Sequence, residues 1–498
     1  MINGDTAYQA LTSKDRRFDG LFFVGVTSTG IYCRPVCPVK APRRENCLFF
    51  ASAEAAEKAD FRPCLRCRPE LAPGNAPVDS AWRITDLLLQ RIDEGMLDET
   101  NSLEEVAAWF NLSLRQLRRI VHQELGVSPL ELKQTRRLLL AKQLLTETRL
   151  PVTEVAFASG FSSLRRFNDV FNKRYRMAPS RLRREAAAGE PLNGPDDAST
   201  LLLGYRPPYN WQTMLDFLRL RALKDVEWVD DDSYARTVQL GRFRGWIRVT
   251  HAPQKHALQV EFSHSLTGAL PALLRRLRKL FDLNAHPHSI DDRLRQDPLL
   301  AASIERDPGL RVPGAFDGFE MTVRAVLGQQ ITVKAATTLG GRFVGAFGEA
   351  FATPFPALTC LAPTPQRVMT ASIDEIARLG IVSARARSIL ALAVGCASGD
   401  LQLDACTDPE AMMEKLKQLP GIGDWTAAYI AMRALRWPDA FPAGDIVVRN
   451  NLGKVTAKQA EAISAAWRPW RSYAVMHIWK NLAPVKNRAR FRIAKRRL

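Results

Sequence analysis

Two stretches of the chain repeat one pattern of apolar and polar positions. SLEEVAAWFNLSLRQLRRIVHQELGVSP and PVTEVAFASGFSSLRRFNDVFNKRYRMAPSRLRR each hold a helix with a Val-Ala pair, Val106-Ala107 and Val155-Ala156, about 49 positions apart. A short turn follows, then an Arg-rich second helix led by serine near Ser113 and Ser162. Serine is a favoured N-cap, and this is the spacing of helix-turn-helix units, whose second helix enters the major groove of DNA. Downstream, GYRPPYNWQTMLDFLRLRAL reads as a helix, and the segment from EWVDDD to LQVEF as alternating strands. Later still, LPGIGDWTAAYIAMRALRWPDAFPAGDIVVR sets Gly421 and Gly423 around one isoleucine. Glycine lets the backbone come close to a partner. A helix is expected from about Asp424, roughly 13 residues and roughly 20 Å long. It should stop before Pro438, because the residue before proline disfavours α geometry. Its first turn leaves N–H groups unpaired, a site that a DNA phosphate would fit. Trp425 and Tyr429, at i and i+4, project from one helix face. A polar loop then returns one acid, Asp445, beside the hairpin.

Composition narrows the partners. At 498 residues the chain has room for three or four domains. The formal net charge is +18 with a pI near 9.8, a single-sign field that favours nucleic acid. Residues 101–185 alone hold 16 Lys/Arg against 8 Asp/Glu. No run of 18 apolar residues exists, so no membrane-spanning helix is expected. The N-terminus has no apolar core of a signal peptide, and a cytoplasmic protein is expected.

Cysteines bring in the first chemistry. Cys33, Cys37, Cys64 and Cys67 form C-x3-C-x26-C-x2-C, which suits one tetrahedral Zn²⁺ held by four thiolates. Spacing alone favours a structural site over a reactive one, since four-cysteine sites are usually structural. Cys47, Cys360, Cys396 and Cys406 are scattered and read as small buried apolar residues.

The words around these residues carry family resemblances. GIYCRPVC, REN and FRPCLRCRPE resemble the N-terminal zinc domain of the Ada regulators. That resemblance implies that Cys33 accepts a methyl group from a DNA methyl phosphotriester, with the other three cysteines completing the zinc site. Arg34 and its neighbours would hold phosphates. The paired helix-turn-helix units, with GF-S-x-x-x-x-F-N at Gly160–Asn168, resemble the AraC-type DNA-binding domain. Candidate groove-facing residues are Arg115, Gln116 and Arg119, and Ser163, Arg165, Arg166 and Asn168. LPGIG, W-T-A-x-Y and F-P-x-x-D resemble the helix-hairpin-helix DNA glycosylases, specifically the 3-methyladenine DNA glycosylase II type. This implies Asp445 as the catalytic carboxylate and Trp425, Tyr429 and Trp479 as the base pocket. Gly421 and Gly423 would meet DNA, and Gln330 or Gln329 would fill the gap left by a flipped base. No cysteine follows Cys406, so no iron–sulfur cluster is expected. Asp424 stands where a lyase would carry lysine, so the enzyme should leave the abasic site uncut.

The expected fold is multidomain, mainly α with α+β parts. A small four-cysteine zinc domain (1–75) precedes an AraC-type double helix-turn-helix (80–186). A flexible linker (187–199), an α+β lobe (200–285), the helix-hairpin-helix glycosylase (286–485) and a basic tail (486–498) follow. The expected activity is repair and regulation together: excision of 3-methyladenine- and 7-methylguanine-type bases, suicidal methyl acceptance, and promoter binding as a monomer. Partners would be duplex and alkylated DNA, with RNA polymerase as a further candidate. The alternative is a regulator and methylation sensor alone, its glycosylase part a DNA-binding platform.

Overall fold

The computed structural model describes residues 3–73, 85, 88, 89, 92, 103–109, 112–187, 197–403 and 408–480. The basic tail, Cys406 and residues 188–196 of the expected linker lie outside them. No described helix is long and apolar enough to cross a membrane.

The N-terminal module begins with α1 (Gly4–Thr12) and a four-stranded sheet of β1 (Phe23–Val26), β2 (Ile31–Cys33), β3 (Cys47–Phe50) and β4 (Arg62–Pro63), in the order β3-β1-β2-β4. Gly30 turns the β1–β2 hairpin in the left-handed region at φ +64°. Helix α2 (Ala53–Lys58) packs on this sheet, and Ser52 caps it by accepting from Ala55 N.

The regulator module follows: α3 (Leu103–Trp109), α4 (Leu114–Leu125), α5 (Pro129–Glu147), α6 (Val152–Ala158), α7 (Leu164–Tyr175) and α8 (Pro179–Ala187). Ser113 caps α4 in a reciprocal box with Gln116. Ser163, one residue later than expected, caps α7. Helix α5 is the spine. Its capping box, Ser128 with Glu131, and Pro129 at its first position fix its start.

Glu57 of α2 is fully buried where the first two modules meet. Tyr32 Oη donates to it at 3.0 Å and Thr135 Oγ1 at 3.2 Å, and Arg174 lies 3.6 Å away. Burial, with Glu54 nearby, pushes its carboxyl up to about 8 against the pull of Arg174. A carboxyl raised on folding favours the folded state below its unfolded pKa, and that contribution is lost as pH rises toward 8. Stability from this contact should therefore decline between about pH 5 and 8. Glu57→Gln keeps the shape and removes the titration. Its urea midpoint, compared with wild type across that range, should have the shallower pH slope.

The C-terminal half opens with an antiparallel sheet of β5 (Ala198–Gly204), β6 (Glu227–Val229), β7 (Ser233–Leu240), β8 (Phe243–Ala252) and β9 (Ala257–Ser263), ordered β5-β9-β8-β7-β6. Helices α9 (Trp211–Arg219) and α10 (Leu270–Leu280) present apolar faces to its core, through Met214, Leu215 and Leu218 and through Leu273, Leu274 and Leu277. The rest is helical apart from a two-stranded ribbon of Glu349–Ala350 and Cys360–Leu361. Helix α11 (Gly318–Leu327) is buried along almost its whole length; of α12 (Val333–Phe347), α13 (Ser383–Ala397), α14 (Pro409–Lys417), α15 (Asp424–Arg433), α16 (Ile446–Asn451) and α17 (Arg471–Lys480), it packs against α12, α13 and α15, while α14 packs on α15 and α16 on α17. Helix α15 stands between two apolar clusters: Ala427 and Ile430 belong to one, Ala431 and Met432 to the other.

Two expectations change. Helix α15 has 10 residues and ends at Arg433, earlier than Pro438 alone would require. Trp437 N bonds Ala431 O at 3.0 Å and Arg436 is left-handed at φ +55°, so the chain turns away before the proline. The two halves, expected to hang on a flexible joint, share one core: Leu138, Leu144, Phe167 and Phe171 cluster with Leu201, Tyr234 and Phe262. Polar contacts cross the same boundary. Gln143 Nε2 donates to Leu202 O and Leu202 N to Glu147, both at 2.9 Å. Glu147 also binds the Arg68 guanidinium, and Glu70 holds Lys142 at 2.6 Å with both side chains about 2% exposed.

Candidate functional site

The hairpin joins α14 to α15. Gly421 is left-handed at φ +74°, and a Cβ there would come within 2.5 Å of Ser388 Oγ. That oxygen is fixed by its bond to Pro420 O at 2.6 Å. Gly423 has ordinary backbone angles, and a Cβ there would face open space. The first glycine is therefore required by the turn, and the second leaves the approach to the α15 N-terminus bare.

Asp445 is the N-cap of α16 and is 8% exposed. Its Oδ1 accepts from Val447 N at 3.0 Å, Val448 N at 2.9 Å and Trp479 Nε1 at 3.2 Å. Its Oδ2 accepts from Trp425 Nε1 at 3.0 Å. Two indoles and a helix start thus fix both oxygens without a neutralising cation among these partners. Trp425 and Tyr429 stack face to face, centroids 5.4 Å apart and planes 5° from parallel, and Trp479 tilts toward Tyr429 at 6.1 Å. The four residues line one cavity of about 1670 Å³ between the sheet lobe and the helical lobes. The carboxylate faces a hollow walled by aromatic rings and not bulk water.

Other wall residues carry no signature in the sequence. Phe217 of α9 and Arg221 just after it reach the cavity from the sheet lobe. The Phe217 ring lies between two guanidinium groups, Arg221 at 3.7 Å and Arg433 at 4.7 Å. Arg433 Nη1 donates to Tyr429 Oη at 2.9 Å. Burial raises the Tyr429 phenol, but the charges of Arg433, Arg221 and Arg324 outweigh it and hold the phenol below its usual range. A buried ion cluster fixes α11 beside this wall: Glu320 with Arg236 at 2.7 Å, and Glu227 with Arg324 at 2.9 Å. Burial raises the Glu227 carboxyl, yet Arg324 and Arg236 bring it down to about 2.

The end of α11 carries the two glutamines. Gln329 Nε2 donates to Gly421 O and Thr426 Oγ1, both at 2.9 Å, and Arg385 binds its carbonyl. Gln329 therefore braces the hairpin. Gln330 is exposed at the cavity rim and left-handed at φ +53°.

At the other end of the chain, the Sγ atoms of Cys33, Cys37, Cys64 and Cys67 all lie within 4.8 Å of one another. A tetrahedron with Zn–S bonds near 2.3 Å has edges of about 3.8 Å, so these donors fit one Zn²⁺. The parallel pairing of β2 with β4 brings the cysteine pairs together, Cys64 N bonding Tyr32 O at 3.0 Å. Cys37, Cys64 and Cys67 are buried and Cys33 is half-buried. Arg34, expected at a phosphate, is instead occupied within the module. Asp19 takes its guanidinium, Cys67 O accepts from Nη1 at 3.0 Å, and its side chain is 13% exposed. Of the scattered cysteines, Cys47 is buried, but Cys360 and Cys396 are only half-buried.

Among the helix-turn-helix candidates, Arg115 and Arg119 on α4 and Arg165 and Arg166 on α7 are exposed, whereas Asn168 is half-buried. Gln116 is exposed, but its side-chain oxygen accepts from Ser113 N and Oγ in the capping box.

The chain matches four families in order: "Metal binding domain of Ada" over 6–70, "Helix-turn-helix domain" over 106–185, "AlkA N-terminal domain" over 200–317 and "HhH-GPD superfamily base excision DNA repair protein" over 323–470. It is 38% identical over 486 residues, 96% of both chains, to the probable bifunctional transcriptional activator/DNA repair enzyme AlkA of Mycobacterium tuberculosis. It is 37% identical to DNA-3-methyladenine glycosylase 2 of Escherichia coli, across 56% of this chain and 95% of that one. A solved 3-methyladenine DNA-glycosylase from Archaeoglobus fulgidus shares the fold of the C-terminal half, with a TM-score of 0.50 at 20% identity, covering 57% of this chain and 99% of that one.

Proposed function

The chain belongs to the family of bifunctional transcriptional activator/DNA repair enzymes, and from that premise we propose that Asp445 and its aromatic cavity excise alkylated bases while Cys33 accepts methyl groups from DNA phosphates. It is a DNA glycosylase and a DNA-binding regulator in one polypeptide, with a single four-cysteine zinc site. The observation that carries the excision reading is the carboxylate of Asp445, buried beside Trp425, Tyr429 and Trp479 with both oxygens fixed.

A base must leave the duplex stack to be attacked, at a cost of a few kcal/mol. The exposure and left-handed turn of Gln330 at the rim support it as the side chain that fills the gap, whereas Gln329 is tied to the hairpin. Breaking the N-glycosidic bond builds positive charge on the sugar. A carboxylate about 4 Å away stabilises that charge by about 4 kcal/mol at an effective dielectric of 20. The same group can orient the attacking water. Asp424, at the position where a lyase would carry lysine, is 92% exposed in an ion pair with Lys417, and Lys480 on the cavity wall is bound to Thr213 and Asp307. This supports hydrolysis that leaves the abasic site uncut.

Cation–π attraction for a cationic purine is about 0.5–2 kcal/mol, at most about thirtyfold. Arg433, 5.7 Å over the Tyr429 ring, reduces what a second cation gains there. Selection therefore rests on the lability of the cationic leaving group. Excision rates of 3-methyladenine and 7-methylguanine should follow their spontaneous depurination rates. Rates that instead follow the size of the base would assign selection to the pocket.

For Cys33, bound zinc would keep the four sulfurs as thiolates at neutral pH. The Cys33 sulfur attacks the methyl carbon, an S–C bond forms, the C–O bond breaks, and the phosphodiester oxygen departs with the electron pair. The sulfur becomes a neutral thioether. Removing one negative charge about 8 Å from a DNA phosphate relieves about 2 kcal/mol at a dielectric of 20, roughly thirtyfold in affinity. Methylation would thus convert damage into promoter binding by the exposed arginines of α4 and α7, with RNA polymerase as the eventual partner of a monomeric activator. One experiment tests both halves: incubate the protein with methylated duplex DNA, quantify released bases, and measure methyl on the protein by intact mass.

A further inference from the structure

The zinc centre is braced from outside its own module. Arg206, just after β5 in the C-terminal half, is 1% exposed. Its guanidinium donates to three carbonyls: Asp19 at 2.8 Å, Pro73 at 3.1 Å and Asn284 at 3.1 Å. The first two lie in the N-terminal segment and the third in the sheet lobe. Gly20 sits against this clamp at φ +76°, where a Cβ would come within 2.1 Å of Pro73 O and 3.2 Å of Arg206 Nη2. The Asp19 side chain, 5% exposed, points the other way and binds the Arg34 guanidinium, Nε at 2.8 Å. Arg34 directly follows Cys33. Its Nη1 donates to Cys67 O at 3.0 Å, and its main-chain N–H donates to Cys67 Sγ at 3.3 Å.

We propose that Arg206 is a positioning residue for the zinc centre, acting through Asp19 and Arg34 on Cys67 and on the main chain beside Cys33. The path is continuous: a guanidinium from the repair half fixes the Asp19 main chain, the Asp19 carboxylate fixes Arg34, and Arg34 spans two of the four ligands. Charged donors make the strong hydrogen bonds in such a chain. The N–H on Cys67 Sγ also withdraws electron density from that sulfur. Together with burial, it leaves half-buried Cys33 as the more reactive thiolate; this last consequence rests on the methyl-acceptor reading, whereas the bracing itself does not.

The test uses full-length, zinc-loaded protein and the variants Arg206→Met, Arg34→Met and the double variant. Zinc loss to a colorimetric chelator is timed without any methyl donor, and the sulfur-to-metal charge-transfer band of cobalt-substituted protein is recorded. Base release from methylated DNA is measured on wild type and Arg206→Met. Each single variant should speed zinc loss roughly tenfold, the size expected when a hydrogen bond from a charged group is lost. The double variant should be no faster than the faster single, because residues on one path do not act additively. Arg206→Lys, which keeps the charge but cannot serve three carbonyls, should fall between. The cobalt band should shift in Arg206→Met while its base release stays at the wild-type value. Unchanged zinc loss in Arg206→Met, multiplied effects in the double variant, or a parallel loss of base release would each overturn the proposal. Methyl uptake is scored separately, so failure of the methyl-acceptor reading alone leaves the zinc-loss result intact.

Discussion

Asp445→Asn is expected to lower the rate constant for base release by about a thousandfold or more, the scale of losing one preorganised charge opposite a developing ion. Two features make this substitution a probe of charge, and a third sets its cost in stability. Asparagine caps helices about as well as aspartate, so α16 should keep its start. The amide oxygen can retain the bonds from Val447 N, Val448 N and Trp479 Nε1 that Asp445 Oδ1 now accepts. The amide nitrogen would then face Trp425 Nε1, which donates to Oδ2 at 3.0 Å, setting donor against donor. Leaving that half-buried indole unpaired should cost about 1 kcal/mol of stability. Binding to duplex DNA carrying an abasic-site analogue should stay within a few-fold of wild type, because affinity for the phosphates comes from cationic groups and not from a carboxylate. Base release would be followed by chromatography of the freed purine. Retained turnover would remove Asp445 from its role.

Cys33→Ser should abolish methyl uptake from phosphotriester-containing DNA and leave base release at the wild-type rate. Cys37, Cys64 and Cys67 are buried and Cys33 is half-buried, so the first sulfur is the one expected to meet a DNA methyl group. Serine keeps the size of the side chain but is no thiolate nucleophile at neutral pH. In wild type, intact mass should rise by one methyl, mapped by peptide digestion to Cys33, and promoter affinity should then rise roughly thirtyfold. Methyl recovered on another cysteine would shift the nucleophile. An affinity gain that persists in Cys33→Ser would dissociate sensing from methylation.

Much of this site could be read from spacing. The hairpin glycines, Asp445 and the two rings on α15 lie within about 25 positions of one another, and Trp479 sits in a recognisable word farther on. The four sulfurs were equally legible, since ligand spacing reports directly on a shared ion. Contacts between distant segments were not. Phe217 and Arg221 lie about 200 positions before the hairpin, on and just after a helix whose pattern announces only a core face. Arg34 reads in the sequence as a cation for phosphates, yet its partner, Asp19, is on a separate loop. Gln329 and Gln330 are identical in composition and adjacent in sequence, and only the backbone turn at Gln330 separates brace from candidate plug. The shared core between the halves was hidden for the same reason. An Ala-, Gly- and Pro-rich segment signals a joint, but the apolar faces that meet across it are each explained locally by their own module.

The Arg68–Glu70–Lys142–Glu147–Leu202 network bears on how the polypeptide comes apart. Lys142 and Glu70 face each other almost entirely out of water, so pulling the regulator helix off the zinc module would strand charge in an apolar seam, and Glu147 ties the same helix to Leu202 of the sheet lobe. Heating should therefore give one broad calorimetric endotherm across zinc module, regulator and sheet lobe, where a string of beads would give a staircase. A gene split after residue 187 should yield two fragments that seek each other out in solution.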